Sequence, residues 1–398
     1  MRKLKKGATL ALLTLATTAH AQSSVTLYGT FDIPLLYTTR QQTTANGVTG
    51  GGNSVQIGIP GQTQSNWGLQ GTEDIGGGRS AVFNLQSYFL PGTGQLLQTD
   101  TLFTRAAYVG IKDASIGTLT LGRQTDSYTD ALGPFASSNT WATTYGAHFG
   151  DVDNLNQAFN FNNAIKFTSA SVGGFTLDGI FSLGGVAGSF ATNRGYAVSL
   201  AYTNGPYSLA AGYLSLNNPL TAALGGINGY IGDMSCSNAD ALYCELQDSS
   251  SLHEFGAGGS VTIGKLTLGG TYTHTQLRGT GFTSPGQPAG SNVNFNIAEL
   301  NSTYMLAPDL TLGLAYVYNL VSPSGVGSTQ FHQINVGATY SLSKRTAIYL
   351  VAIGQISRGR GLGTSPTGTP INYAQIPVLN NSPSSRQATL ISGIRTSF

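Results

Sequence analysis

Charged side chains are scarce in this sequence of 398 residues. Asp, Glu, Lys and Arg together make up 9% of the residues, against about 25% in average soluble domains. After the first 21 residues, no stretch approaches the roughly 20 apolar residues that a membrane-spanning helix requires. These two shortages argue against an ordinary soluble domain and against a helical membrane protein.

Cysteine is rare as well. The two cysteines, Cys236 and Cys244, lie close together in a segment rich in Ser, Asn and Gly. In an oxidising compartment this spacing predicts a disulfide across a loop. A cysteine pair alone is half of a zinc site. The DVD sequence at 151–153 is followed by Leu155 where a calcium loop needs an oxygen ligand. The sequence therefore predicts no metal site and no cofactor.

The first 21 residues have the three parts of a secretory signal peptide. A basic MRKLKK is followed by the apolar ATLALLTLA, and Ala19-His20-Ala21 provides an A-x-A cleavage site. We expect an exported mature chain that starts at Gln22. Cleavage removes four of the 19 basic residues and none of the 17 acidic ones, which changes the formal net charge from +2 to −2. An exported chain of this composition is either a secreted β-protein or an outer-membrane β-barrel.

Alternation of apolar and polar residues is the strongest pattern in the mature chain. Between Val25 and Tyr37 the odd positions are nearly all apolar, and polar residues such as Asp32 lie between them. The same alternation recurs in residues 81–89 and 310–319. A strand with lipid on one side and water on the other changes character at every residue, and helical spacing explains none of these runs.

Sixteen such runs can be counted, and the connections between them alternate in length. Short turns on one side and long loops on the other, with an even number of strands, are typical of a bacterial outer-membrane barrel. The last run ends at the terminal Phe398, as a barrel requires, because its last strand must pair with its first. The predicted strands are 24–37, 64–73, 79–90, 101–112, 117–124, 162–170, 174–183, 194–203, 207–216, 252–262, 265–274, 293–304, 309–319, 329–340, 345–357 and 386–398.

The third long connection, residues 125–161, is predicted to fold back into the barrel and narrow its lumen. Connections longer than about 12–15 residues without structure of their own are uncommon, and they are usually functional or disordered. This one is too aromatic for a disordered linker, and it also carries four carboxylates. Its aromatic residues are Tyr128, Phe135, Trp141, Tyr145, Phe149, Phe159 and Phe161.

Short motifs along nearly the whole mature chain occur in an order and spacing typical of one family. They include SVTLYG at 24–29, WGL at 67–69, GTED at 71–74, LGRQ at 121–124, NAIKF at 163–167, LSKRT at 342–346 and GIR at 393–395 with the terminal Phe398. In this arrangement the chain resembles the general porins of β-proteobacteria. The resemblance implies an all-β fold, a sixteen-stranded antiparallel transmembrane β-barrel with short periplasmic turns, long outer loops and an in-folded third loop. It also implies a homotrimer.

Three positions depart from the pattern of that family. Its members commonly carry basic residues in the second strand, where this chain has Asn66 and Gln70, and another before the sixth strand, where it has Asn160. Asn66 and Gln70 have the same parity, so both are expected to point into the lumen. The cationic wall is thinned, and we expect a channel that is close to unselective or weakly cation-selective.

Eight residues are candidates for the pore constriction, because of their parity or their position at the entry of the third loop. Facing charges across a constriction filter ions by their field. The other open interpretation is that these are ordinary solvated charges, or that the aspartates hold the loop to the wall by hydrogen bonds. The candidates are Arg105, Arg123, Asp126, Asp130, Asn66, Gln70, Asn160 and Lys166.

The expected function is passive diffusion of small hydrophilic solutes and ions through a water-filled outer-membrane channel. A substrate-selective channel on the same barrel is one alternative, and an adhesin or structural barrel is another. An enzyme needs a clustered nucleophile, base and orienting group, and none can be picked out. The expected partners are outer-membrane lipid, lipopolysaccharide, small solutes and further copies of this chain, with no nucleic acid.

Overall fold

The computed structural model describes residues 24–45, 48–59, 61–98, 100–218, 246, 249–281, 290–325, 327–364 and 370–398. The predicted signal peptide, residues 1–21, and the predicted disulfide between Cys236 and Cys244 lie outside these residues, so both stay predictions. Within the described ranges, no helix is long and apolar enough to cross a membrane.

Sixteen antiparallel strands form the wall of a closed barrel, which confirms the predicted fold. Most predicted boundaries lie close to the observed ones because lipid-facing strands carry the alternation almost to their ends. The wall strands are β1 (Ser24–Ala45), β2 (Asn66–Gly76), β3 (Arg79–Tyr88), β4 (Ala106–Asp113), β5 (Gly117–Gln124), β6 (Phe161–Ser169), β7 (Phe175–Ser182), β8 (Gly195–Asn204), β9 (Tyr207–Asn217), β10 (Ser251–Ile263), β11 (Leu266–Arg278), β12 (Val293–Ala307), β13 (Leu310–Pro323), β14 (Thr329–Ser341), β15 (Thr346–Gly359) and β16 (Arg386–Ser397).

Strand β1 closes the barrel by pairing with a strand on each side. Its first residues, up to Thr30, pair with β2, and the residues from Thr30 to Thr39 pair with β16. Just past β16, the backbone N–H of Phe398 donates to the carbonyl oxygen of Gly29 at 3.0 Å. Each wall strand therefore has a neighbour on both sides, which satisfies backbone groups that lipid cannot.

Strand β1 is longer than predicted, because it continues past Tyr37 as an outer hairpin. Residues Val48–Ile57 fold back on its second half, from Ile57 opposite Leu35 to Val48 opposite Ala45. This hairpin consists mainly of Thr, Gln and Gly. A hairpin beyond the lipid has no apolar face, so the alternation that marks the other strands stops near Tyr37.

The two faces of the wall differ as the alternation predicted. In β1, Val25 and Leu27 are 65% and 59% exposed on the outside, whereas Asp32 and Leu36 are fully buried inside. The outward apolar side chains continue around the barrel and form the band that contacts lipid.

The third loop, between β5 and β6, lies inside the lumen, as predicted. It contains the helix α1 (Ser127–Leu132) and 3-10 turns at Gly133–Phe135, Ser137–Asn139, Thr144–Gly146 and Phe149–Asp151. Phe149 stacks on Phe331 of β14 with ring centroids 4.1 Å apart. Further apolar side chains of the loop pack on Leu214, Leu252, Leu277, Phe295 and Val317 of β9 to β13. The loop therefore fills the side of the lumen next to these strands.

Two wall glycines make room for an aromatic side chain of this loop. A Cβ at Gly313 of β13 would lie 2.3 Å from the ring of Trp141, and a Cβ at Gly337 of β14 would lie 2.8 Å from it. Real Cβ atoms essentially never approach so closely, so the indole fits only because both positions lack side chains.

A second outer loop also folds inward, which the sequence analysis missed. Its residues 372–382, between β15 and β16, are named here the tongue. Ile376 and Leu379 of the tongue are buried against Leu36, Tyr349 and Ile391 of the wall, and against Tyr145 of the third loop. This loop is otherwise rich in Gly, Ser and Pro, and its few apolar residues have no periodicity that marks an inserted segment.

The outward position of Leu314, which is 55% exposed near the middle of β13, gives a test of the barrel geometry. We expect Leu314→Arg to lower the free energy of unfolding in bilayers by about 2–4 kcal/mol, because the charge faces hydrocarbon. The control is Thr311→Arg, because Thr311 lies on the inner face of β13 and is partly exposed, so the effect should be small. Equal effects in urea titrations of the two variants in lipid vesicles would contradict this orientation.

Candidate functional site: the pore constriction

An open cavity of about 640 Å³ lies in the lumen between the third loop and one side of the wall. Because the loop packs on β9 to β14, the cavity lies on the other side, beside β2, β3 and the start of β4. Its boundary is completed by residues 59 and 62–64, residues 90 and 97 of the loop after β3, loop residues 129–158 and residues 377–378 of the tongue. Any solute that crosses the barrel here passes between these segments.

Amide side chains are the largest group among the polar residues on the boundary of this cavity. Asn66 of β2 donates from its side-chain nitrogen to the carbonyl oxygen of Gln64 at 2.7 Å, and its Oδ1 accepts from Nε2 of Gln86 at 3.0 Å. These bonds fix Asn66 against the wall while it lines the cavity, as predicted from its parity. The remaining amides of the boundary are Gln62, Asn139, Asn156 and Gln157.

Arg105 places a positive charge on the same cavity. It lies immediately before β4, half-buried, with its guanidinium 5.3 Å from the ring centre of Tyr88. The guanidinium also donates to the hydroxyl of Tyr88, and that hydroxyl donates to Oε1 of Gln157 in the third loop at 3.0 Å. Tyr88 therefore orients the guanidinium and links the wall to the loop.

Asp130 carries a negative charge on the loop side, and it is paired. Its side chain is 43% exposed and accepts a hydrogen bond from Nζ of Lys166 in β6. Lys166 is itself buried, lies 3.3 Å from a carboxylate oxygen of Asp178, and donates to the carbonyl oxygen of Thr125 at 3.0 Å. Lys166 thus holds the start of the loop to the wall, and it is not part of the cavity boundary.

Arg123 is buried away from the cavity. Its Nε and one terminal nitrogen donate to the carbonyl oxygen of Thr104 at 2.8 and 2.6 Å, and the other terminal nitrogen donates to Oδ1 of Asn162. The guanidinium therefore joins the segment before β4 to β6. The inward orientation of Arg123 agrees with its parity, but its N–H groups donate to acceptors in the wall and not to the cavity.

Asp126 has a structural role at the start of α1. Its carboxylate accepts from the backbone N–H of Thr129 at 2.8 Å, as the helix N-cap, and from Nδ2 of Asn154 at 2.8 Å. Burial raises the pKa of Asp126 to about 6, although the hydrogen bonds from Thr129 lower it. Asp126 therefore stabilises the fold of the loop and does not face the cavity.

The last two candidates lie outside the cavity boundary. Gln70 is exposed and lies four residues along β2 from Asn66, which is about 13 Å at 3.3 Å per residue. Asn160 is buried at the end of the loop, where its Oδ1 accepts from the hydroxyl of Thr125 at 3.3 Å. Of the eight predicted residues, the cavity brings together Asn66, Arg105 and Asp130.

A buried histidine, which no pattern in the sequence marks, anchors the far side of the loop. Nδ1 of His148 lies 2.6 Å from Oδ2 of Asp153 in the loop, and Nε2 lies 3.1 Å from Oε2 of Glu299 in β12. Burial alone would lower the pKa of His148, but attraction and hydrogen bonding to the two carboxylates outweigh it and raise the pKa to about 10. His148 is therefore an imidazolium that bridges loop and wall.

Two further hydrogen bonds tie the same region of the loop to the wall. The hydroxyl of Thr273 in β11 donates to Asp153 at 2.6 Å, and the other carboxylate oxygen of Glu299 accepts from the backbone N–H of Ser137 at 2.6 Å. No spacing in the sequence could identify these partners, because they are far apart along the chain.

The attachment of the loop should depend on pH through His148. Its pKa is about 10 in the folded loop against 6.5 as the ordinary value, so the folded loop binds the proton more tightly. Its stabilisation is complete below the ordinary pKa and is lost as pH rises towards the folded value. We expect single-channel conductance to become noisier between about pH 6 and about pH 10.5. The conductance of His148→Gln should be noisy at every pH, because this change leaves two buried carboxylates without their cation.

His253 provides the control for this experiment, because it contacts Tyr213 and Ser215 at the outer end of β10 and not the loop. His253→Gln should keep the pH response of the unmodified protein. A conductance trace that is equally quiet at all pH values in the unmodified protein and in His148→Gln would show that the bridge does not hold the loop.

Comparison with known proteins places this barrel in a family. The family profile described as Gram-negative porin matches residues 8–357. An outer membrane porin protein of Bordetella pertussis is 28% identical, over 83% of this chain and 88% of that protein. The fold is similar to the anion-selective porin from Comamonas acidovorans, with a TM-score of 0.64 and 22% identity over 95% of this chain and all of that one. It is also similar to OmpT of Vibrio cholerae in its trimer form, with a TM-score of 0.59 and 13% identity over 94% and 99% of the two chains.

The matched region covers most of the wall and the whole of the third loop. With its closed sixteen-stranded barrel, its lipid-facing apolar band and its water-accessible lumen, the chain belongs to the Gram-negative porins, and it forms a passive diffusion channel in the outer membrane.

Proposed function

We propose that the constriction passes small hydrophilic solutes with little preference for the sign of their charge. The observation that carries this proposal is the chemistry of the cavity boundary. Among the described residues, the boundary has one cation, Arg105, and one exposed carboxylate, Asp130, whereas seven of its side chains are amides. Each amide has donors and an acceptor, so it can replace water around a solute of either sign.

The size of the missing electrostatic term supports this proposal. A fixed charge about 4 Å from a passing ion is worth roughly 1–4 kcal/mol at the dielectric of a wet pore. Asn66 supplies no such charge where the resembled porins commonly carry a basic residue. Lys166 is buried and paired with Asp130 and Asp178, so it adds little positive field. We therefore propose a channel that is unselective or weakly cation-selective.

Asp151 does not change this balance, although it also borders the cavity. Its two carboxylate oxygens accept from the backbone N–H groups of Asn156 and Ala158 at 2.9 Å each. Burial, with Asp153 nearby, raises the pKa of Asp151 well above its usual range. The charged form is disfavoured, so this residue supports the loop more than it attracts cations.

We assign two different roles to seven of the eight candidate residues. Arg105, Asp130 and Asn66 contact the permeating solute. Arg123, Asp126, Asn160 and Lys166 hold the third loop and the wall in place. The Comamonas porin is named as anion-selective; we propose that this chain differs from it, because amides replace cations in its constriction.

The working unit is proposed to be a homotrimer, embedded in outer-membrane lipid and lipopolysaccharide. Its support is the trimer form of the similar Vibrio barrel and the resemblance to trimeric porins. We also propose that the chain acts only as a channel and not as an enzyme, since it belongs to the Gram-negative porins and its buried Arg123, Asp126, Lys166 and Glu299 are used as anchors.

Reversal potentials under a KCl gradient test the selectivity directly. We expect a value near zero for the unmodified protein, and a clear shift towards anion selectivity for Asn66→Arg, because that charge enters the cavity. Gln70→Arg is the matched control, with the same strand and the same parity but a position outside the cavity boundary. A strong anion preference of the unmodified protein, or equal shifts in the two variants, would overturn the proposal.

The oligomeric state can be measured on the purified, unheated protein. Native mass spectrometry should give three copies, and the trimer band should persist in detergent electrophoresis until the sample is boiled. Only monomers in native spectra of mild-detergent extracts would contradict the trimer without affecting the assignment of the channel.

A further inference from the structure

The boundary of the constriction combines two chemically different sets of side chains. The polar set is mainly amides and hydroxyls from β2, β3, residues 62–64 and the third loop. The apolar set comes from separate segments of the chain, and none of it is needed for a simple water-filled pore. The large aliphatic side chains on the boundary that are at least partly exposed are Ile59, Leu90, Leu97 and Val378.

The tongue contributes Val378 to this apolar set, and the wall holds the tongue firmly. The backbone N–H of Gln375 donates to Oε1 of Gln355 at 2.6 Å, and the N–H of Ile376 donates to Oε1 of Gln387 at 2.7 Å. Nε2 of Gln387 donates in turn to the carbonyl oxygen of Asn380 at 2.8 Å. Wall amides therefore replace the hydrogen bonds that a strand would give, and they position the tip of the tongue in the lumen.

The tip is a tight turn with an unusual residue. The N–H of Leu379 donates to the carbonyl oxygen of Ile376 at 3.1 Å, and Pro377 and Val378 lie between them. Val378 has a φ of +67°. Turns with proline at the second position and positive φ at the third normally carry Gly or Asn there. A β-branched residue in this conformation is a genuine outlier.

Strain of this kind persists only where the surrounding structure imposes it, and it clusters at functional sites. Gly or Asn at position 378 would relieve the strain and leave the turn intact. Valine adds an aliphatic side chain, which these residues lack. Part of it packs on the cluster that contains Leu36 and Tyr145, and the rest lines the cavity. The turn therefore retains a strained residue at the point where its side chain meets a passing solute.

We propose that the tongue and the amides form a two-sided binding site for small neutral solutes that have an aliphatic face and a hydrogen-bonding edge. The amides replace the water around the polar edge, and the exposed part of Val378 removes the aliphatic face from water. This inference rests on the proposed channel function and adds the class of solute that crosses the channel fastest.

Liposome swelling with two matched neutral probes tests the site. N-acetyl-leucinamide and N-acetyl-asparaginamide have similar shapes, but only the first has an aliphatic side chain. After subtraction of leakage into protein-free liposomes, we expect the leucine probe to enter roughly threefold faster through the unmodified channel, because partial burial of a branched side chain favours it. Val378→Asn should bring the ratio close to one, although asparagine suits the turn better than valine does.

Asn380→Val is the control, because residue 380 is exposed on the same tongue but does not border the cavity. It should leave the ratio of the two probes unchanged. KCl conductance, measured on each variant, should stay near that of the unmodified protein and so confirm that the barrel is intact.

Equal rates for the two probes in the unmodified channel would overturn the inference, and so would a ratio that Val378→Asn does not change. Neither result would affect the proposed channel, whose conductance would persist. Absence of any KCl conductance in the unmodified protein would refute the channel itself, and the binding site with it.

Discussion

The hydrogen-bonding requirement of a backbone in lipid is the constraint on which the rest of this structure depends. An unpaired backbone group has no partner in hydrocarbon, so a sheet can cross only when it closes on itself. Here the closure depends on β1, which pairs with both β2 and β16. The period-two alternation follows directly, because each closed strand faces lipid on one side and the lumen on the other. A sixteen-stranded barrel also leaves a lumen far wider than its own side chains can fill.

That wide lumen explains why two outer loops fold inward, and each is held by a different kind of interaction. The third loop contributes aromatic residues and packs on the wall as a small hydrophobic core, with Phe149 on Phe331 as one contact. Buried polar groups then fix its position, since His148 pairs with both Asp153 and Glu299. The tongue has fewer apolar residues and depends on wall glutamines for its backbone hydrogen bonds.

The sequence predicted the wall well and the anchors poorly, for a physical reason. Every strand that faces lipid needs an apolar residue at every second position, so the alternation can be recognised within a short stretch of sequence. Parity also gave the correct side for Asn66 and Arg123. Parity could not show that the guanidinium of Arg123 donates to the carbonyl oxygen of Thr104, because such a partner depends on three-dimensional packing. The tongue was missed since its few apolar residues lie in a Gly- and Pro-rich loop and form no pattern.

A charge in this lumen can either anchor a loop or face a solute, and most of them anchor. Arg123, Lys166, Asp126 and Glu299 are buried and hydrogen-bonded, and a buried partner cannot be removed without leaving its counter-charge unpaired. The field across the opening is therefore left mainly to Arg105 and Asp130. With so little charge available, we propose that discrimination among solutes comes from shape, amides and apolar contacts. This is consistent with a strained valine at the tip of the tongue, where a charged side chain would have been the simpler filter.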